Sequence, residues 1–238
     1  MARNTLSLTL QSGSASMQRE VGIDDAVVAG WTGRDPAAVE KHIKELEALG
    51  VKRPVSTPVF YRVSAARLTT ATEIEVAGPH SGGEVEFVLL RYGGRMWVGA
   101  GSDHTDRQVE TYGVTVSKQM CDKPVAPVFW WYDEIAPHWD QLLLRAHVME
   151  NGERTIYQEG PVTAMLAPLD LIGRYVVPGV RGRVGTGRLP ENTLMFCGTL
   201  AARGGVRPTE RFEFEIEDPV LNRKITHAYA VRILPVLG

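Results

Sequence analysis

Glu84, Glu86, Asp103, Arg107 and Lys118 fall within one stretch, GGEVEFVLLRYGGRMWVGAGSDHTDRQVETYGVTVSKQ, and their types suit chemistry next to carbonyl and carboxylate groups. In an extended strand, residues two apart share a face. Glu84 and Glu86 should therefore point one way from GEVEFVLL while Val85, Phe87 and Leu89 point the other. Two carboxylates this close repel unless a proton, water or a cation separates them, and a divalent ion does so most effectively in a partly buried cleft. Asp103, after the next apolar run (residues 96–101), completes a set of three oxygen donors. Such a set favours Mg²⁺ or Mn²⁺, admits Ca²⁺ and argues against zinc. Glu-x-Glu is also the pattern of a solvated sheet face, the reading that suits Glu213, Glu215 and Glu217. What sets the earlier pair apart is the company of Arg107 and Lys118. In an extended VTVSKQ, Lys118 would stand between Val116 and Met120 and project toward the same cleft. Its pKa, lowered by the neighbouring cations, would suit a proton donor or an oxyanion partner.

Several elements must position these groups. Leu6, Leu8 and Leu10 alternate with polar residues over 5–11, the period of a half-buried strand. Asp35 followed by Pro36 reads as a helix start and Gly50 as its stop, giving a helix over 36–49 with Val39, Ile43 and Leu46 as its apolar stripe. On that helix His42 and Glu45 are three apart, neighbours on one flank. PVFYRVS and ATEIEVAG read as strands before the carboxylate pair. LLLRAHVMENGERTIYQEG reads as a hairpin turning at Asn151-Gly152. In PVTAMLAPLDLIGRY, Pro168 would break or kink a helix. The Gly- and Arg-rich segment 178–190 lacks the Gly-Lys-Ser/Thr of a phosphate loop and reads as a mobile loop over the site. RFEFEIED and ITHAYAVRIL close the chain as two strands. His104 and Asp106 also form a His-x-Asp pair, but alternation points His104 away from Asp103, and both are assigned supporting positions.

The segments GEVEF, DHTDRQVE and SKQMCDKPVAPVFW together resemble the core of the fumarylacetoacetate hydrolase superfamily. Its members show a Glu-x-Glu strand, an Asp-x-Thr/Ser-Ala-Arg-Asp-x-Gln segment and a Lys-Ser-Phe segment leading to a Pro-containing strand. The resemblance runs from Val27 to Leu234 and implies an α+β, mainly β fold, a mixed β-sandwich or β-roll with a few short helices. It implies Glu84, Glu86 and Asp103 as metal ligands, Arg107 as a substrate contact and Lys118 as the catalytic lysine. HIKELEALG is similar to a helix that carries an acid/base dyad in some branches, matching His42 and Glu45. TLMFCGTLAARGG matches the family's Thr-Gly-Thr-Pro-x-Gly, keeping Gly198 and Thr199 as substrate-binding positions but with Leu200 for the proline. The sequence also departs from the pattern at Asp106, Gln108 and Glu110, the last standing where a glutamine often faces substrate. The implied activity is metal-dependent hydrolysis of a carbon–carbon bond in an acylpyruvate-like or β-diketo acid. Decarboxylation, dehydration or tautomerisation of a 2-keto acid on the same site is the alternative, and a binding protein without turnover a further one. A homodimer is implied as well.

Composition bounds the rest. In 238 residues one main core is expected, with residues 1–26 an N-terminal strand segment of the same unit as a catalytic domain over 27–238. A formal net charge of −2 without a long basic run gives no footprint for nucleic acid. Cys121 and Cys197, far apart and outside any Cys-x-x-Cys pair, read as buried free thiols. MARNTLSLTLQSGSA lacks the apolar core of a leader, and no stretch of some twenty apolar residues occurs, so no membrane association and a cytoplasmic location are expected.

Overall fold

The structure, a computed structural model, describes residues 4–48, 53–150, 152–175 and 187–237; the side chains of His42, Glu45, Leu46 and Ala48 lie outside that description. It is mainly β with short helices, as expected. Leu6, Leu8 and Leu10 are buried along the strand Asn4–Ser12, which forms a hairpin with Ala15–Ile23. That hairpin is one edge of an eight-stranded sheet in the order Ala15–Ile23, Asn4–Ser12, Val128–Trp131, Arg95–Ser102, Val85–Tyr92, Thr193–Thr199, Asp25–Gly30, Val59–Val63. Asn4–Ser12 runs parallel to Val128–Trp131 and Thr193–Thr199 parallel to Asp25–Gly30, so the sheet is mixed.

Val85–Tyr92 lies near the middle of this sheet, and everything from Val85 to Leu90 is buried. A strand covered on both faces needs apolar side chains on both. Val85, Phe87 and Leu89 face the larger core, while Val88 and Leu90 join a smaller core under the opposite face. Glu86 falls on the Val88 side of this alternation, a carboxylate where the pattern asks for an apolar residue.

The larger core is closed by a five-stranded sheet in the order Glu153–Pro161, Leu143–Glu150, Arg211–Asp218, Arg223–Leu234, Glu73–Ala77, which contributes Leu144, Ala146, Phe212, Phe214, Ile216 and Tyr229. The expected hairpin is present, with Gly152 at φ +81° in its turn; Asn151 lies outside the described residues. In it the register shifts between Ala146 and His147, and as a result the consecutive residues Tyr157 and Gln158 are both buried. Glu213, Glu215 and Glu217 lie on the outer side of this sheet, paired with Arg145, Arg154, Arg211 and Lys224.

The helix Pro36–Ala48 starts where Asp35 caps it, its Oδ1 accepting from Ala37 N at 2.9 Å. Two expectations fail. VTVSKQM is not extended but forms the helix Val114–Met120 after Gly113, whose carbonyl accepts from Ser117 N at 3.0 Å. Its β-branched residues imitate a strand, but the helical turn buries Ser117 and Lys118 and leaves Val116 and Met120 exposed. Pro168 does not break a helix; it begins one, Pro168–Arg174, after a separate 3₁₀ turn Val162–Ala164. At the first helical position its missing N–H costs nothing. Most of the segment 178–190 lies outside the described residues. No described helix is long and apolar enough to cross a membrane.

Candidate active site

The carboxylates gather where the strands Val85–Tyr92 and Arg95–Ser102 meet the turn that follows. Val85 pairs with Ser102, and Asp103 N donates to Glu84 O at 2.9 Å, so Glu84 and Asp103 are tied through the backbone. The chain then bends back as Thr105 and Asp106 pair with Gly82 and Ser81, which brings Arg107 beside Glu84. Asp106 caps the short helix Arg107–Glu110, accepting from Val109 N at 2.9 Å. Asp106 is therefore structural, as assigned.

Each acid meets a cation or an amide. Arg107 Nη2 lies 2.9 Å from Glu84 Oε2, and its Nη1 3.0 Å from Glu110 Oε2. Glu110 thus holds the arginine. Glu86 Oε2 accepts the Gly198 N–H at 2.7 Å. Asp103 carries two ammonium groups: Lys118 Nζ on Oδ2, and Lys123 Nζ 3.1 Å from Oδ1. In this arrangement no three acidic, His or Cys side chains among the described residues form a ready-made metal cage. The donor chemistry still suits a hard divalent ion, being oxygen-only and buried with mutually repelling charges. Burial and then the Asp103 charge push Glu86 well above the usual carboxylate range. Glu84 is raised too, by burial first, although Arg107 opposes it. A further cation would relieve both.

Lys118 departs from expectation in charge as well as in backbone. Burial works against its ammonium, but Asp103 and then Glu84 outweigh that and raise its pKa instead of lowering it. Lys118 is therefore a cation that keeps its proton at neutral pH. Its Nζ stands 5.8 Å from the centre of the Tyr61 ring. Burial alone would raise Asp103, yet Lys118 and Lys123 hold it below the ordinary range.

Gly198 and Thr199 end the strand Thr193–Thr199 beside Glu86. Gly198 has φ +97°, and a Cβ there would come within 1.7 Å of Thr32 Oγ1, so only glycine allows its amide to reach Glu86. The Thr199 hydroxyl donates to Val85 O at 2.7 Å and accepts from Gln158 Nε2 at 2.8 Å. Its role here is to lock the carboxylate strand. Helix Pro36–Ala48 carries His42 and Glu45, whose side chains lie outside the described residues.

Three neighbours of the cluster, Gln158, Tyr229 and Lys123, were not legible as site residues, whereas His104 is assigned a supporting position from the sequence. Gln158 Oε1 accepts from Val85 N at 2.9 Å while its Nε2 also donates to Leu200 O at 2.6 Å. His104, fully buried, bonds Tyr229 Oη at 2.8 Å and Ser81 Oγ at 2.9 Å, and Tyr229 Oη also bonds Ser102 Oγ at 2.8 Å. Burial and then Lys123 push His104 down to about 3, so it is neutral and occupied on both nitrogens. Gly83 makes room for this network, since a Cβ there would lie 2.7 Å from Tyr229 Oη. Lys123, on Asp103 Oδ1, is the third. A cavity of about 330 Å³, lined by Arg91, Arg95, Trp131 and Tyr132 among others, lies toward the far end of Val85–Tyr92 and includes none of these groups.

Residues 29–229 match the family model described as "Protein of unknown function (DUF2848)". The chain belongs to the DUF2848 family. No curated protein matches this DUF2848 chain in sequence. Among solved structures it is similar to "Crystal structure of Cg1458 with inhibitor", at 14% identity and TM-score 0.60 over 93% of this chain and 81% of that one. It is similar also to "2-keto-3-deoxy-D-arabinonate dehydratase complexed with magnesium and 2,5-dioxopentanoate", at 14% identity and TM-score 0.58 over 92% and 77%. The apo form of that dehydratase gives 15% identity and TM-score 0.58 over 94% and 78%. At these identities the likeness is one of fold, and it bears out the mainly β, fumarylacetoacetate hydrolase-like class.

Proposed function

We propose that this DUF2848 protein is a divalent-metal-dependent enzyme of the fumarylacetoacetate hydrolase superfamily that acts on a 2-keto acid. Within that class we read it as a hydrolase of a carbon–carbon bond in an acylpyruvate-like or β-diketo acid. The observation that carries this reading is the convergence of Glu84, Glu86 and Asp103 with Arg107 and Lys118 in one buried cluster. Glu84, Glu86 and Asp103 would hold Mg²⁺ or Mn²⁺, with Ca²⁺ admissible. When bound, the ion would supply Lewis-acid neutralisation of an enolate.

The chain's own residues supply the rest. Arg107, whose Nε is buried without a hydrogen-bond partner among the described residues, is the guanidinium we propose for a substrate carboxylate. Lys118, protonated at neutral pH, donates a hydrogen bond to oxygen that gains charge and gives a proton to the carbon left by bond cleavage, and the proton released by the attacking water restores its own. His42, with Glu45 as its partner in the dyad that the resemblance implies, is our candidate to take the proton of the water that adds to the distal carbonyl. We keep Gly198 and Thr199 as the substrate-binding positions that the resemblance implies, and Glu110 fixes the angle of Arg107. We extend the reading to a catalytic domain over 27–238 with the N-terminal strand segment 1–26 in the same unit, to a cytoplasmic location and to a homodimer, for which light scattering should give twice the chain mass.

A second reading, dehydration of a 2-keto-3-deoxy acid, is favoured by the fold likeness to the magnesium-bound dehydratase. A panel of acylpyruvates, oxaloacetate and 2-keto-3-deoxy acids, assayed with Mg²⁺, Mn²⁺ or EDTA, tests both. Metal-dependent release of a carboxylic acid plus a 2-keto acid supports hydrolysis; loss of water from the deoxy acids alone supports the second reading. No metal-dependent turnover of any member would contradict the proposal.

A further inference from the structure

Asp103 differs from its two companions in how completely its charge is matched. Glu84 meets Arg107 through Oε2, and Glu86 meets one backbone amide through Oε2, but both oxygens of Asp103 are in contact with an ammonium. The two lysines are not equivalent. Lys118 keeps a side chain 8% exposed, with its Nζ 5.8 Å from the centre of the Tyr61 ring. Lys123 is sealed. Its side chain has no exposure, its ammonium also donates to His104 O, and its backbone pairs with Leu68 in a short parallel bridge. Gly101 and Val125, two residues to either side of Asp103 and Lys123, form a second bridge that fixes the spacing of the two segments. The charge at Asp103 Oδ1 is thus built in.

We infer that Lys123 is a tethered counter-cation of Asp103, which occupies one carboxylate oxygen and sets how weakly the site holds a divalent ion. This rests on the metal-dependent reading above. A fixed unit charge beside a shared ligand repels an incoming dication and withdraws electron density from the oxygens it must use. The consequence is a metal centre that loads and unloads with metal availability. Lys123 is a positioning residue here, since it acts on Asp103 and not on substrate.

Calorimetric titration of the full-length protein with Mn²⁺ alone decides it. Lys123→Met keeps the length and apolar stem but removes the charge, and should bind Mn²⁺ at least about tenfold more tightly than wild type, equivalent to about 1.4 kcal/mol. Lys123→Arg, which restores a cation, should return affinity toward the wild-type value. Equal or weaker affinity in folded Lys123→Met overturns the inference and leaves the metal reading standing. Binding by Lys123→Met but not by wild type supports the inference and contradicts the metal reading for the native protein. Binding by neither removes both. If Lys123→Met folds only when Mn²⁺ is supplied during refolding, the ion has replaced the lysine and the inference stands. Failure to fold with or without Mn²⁺ makes Lys123 purely structural and overturns it.

Discussion

Replacing Lys118 with methionine removes one of the two ammonium groups on Asp103 and leaves the other. Breaking a buried ion pair costs about 3–5 kcal/mol when the partner is left uncompensated. Here Lys123 Nζ remains 3.1 Å from Asp103 Oδ1, and the methionine stem fills the space of the lysine stem. The stability loss should therefore stay below about 3 kcal/mol, and the variant should fold. Catalysis should respond more strongly. If Lys118 supplies the proton and the stabilising charge, turnover should fall at least about a hundredfold, about 2.7 kcal/mol on the barrier. Affinity for Mn²⁺ should not fall, because a cation has been taken away from the carboxylates. The assay is steady-state turnover of whichever keto acid the panel identifies, alongside oxalate binding in the presence of Mn²⁺ and urea unfolding. Turnover at the wild-type rate in folded Lys118→Met would remove this residue from the mechanism. A parallel loss of Mn²⁺ binding would show that Lys118 shapes the site and does not act in it.

Gln158→Leu should destabilise the fold by about 2–4 kcal/mol in urea unfolding, because it strands the Val85 N–H and the Leu200 carbonyl in a buried position. A loss under about 1 kcal/mol would mean that these groups find other partners. Asp218 is fully buried and accepts from Val220 N, Leu221 N, His138 Nε2 and Arg223 Nε. Burial alone would raise its pKa, but the Leu221 amide and then His138 hold it below the ordinary value. A carboxylate depressed on folding stabilises above its unfolded pKa, about 3.9, and loses that contribution as pH falls through the folded value. Asp218→Asn should therefore cost about 1–3 kcal/mol at pH 7, with the gap to wild type closing as chemical unfolding is repeated below about pH 4. A pH-independent gap would refute the assignment.

The parts of this molecule that follow from local pattern were legible. Leucine alternation gave the first strand, Asp35-Pro36 the start of the helix that carries His42 and Glu45, and Asn-Gly the hairpin. Alternation in GEVEFVLL also placed Phe87 and Leu89 opposite Glu86. Val114 to Met120 was misread because β-branched residues favour strands, whereas Gly113 and the need to bury Lys118 turn the segment into a helix. Gln158 was hidden by the bulge, since strict alternation cannot bury both Tyr157 and Gln158. Lys123, His104 and Tyr229 meet only through long-range pairing, which no spacing in the chain announces.

The central claim is that Glu84, Glu86 and Asp103 act together as ligands of one divalent ion. Titration of Mn²⁺ into wild type, Glu86→Ala and Glu215→Ala tests it most directly, because Glu86 is buried in the cluster while Glu215 is an acid of the other sheet, paired with Arg145 and Lys224. The account predicts one Mn²⁺ per chain in wild type and in Glu215→Ala, and no measurable binding in Glu86→Ala. Equal binding in all three proteins would contradict it.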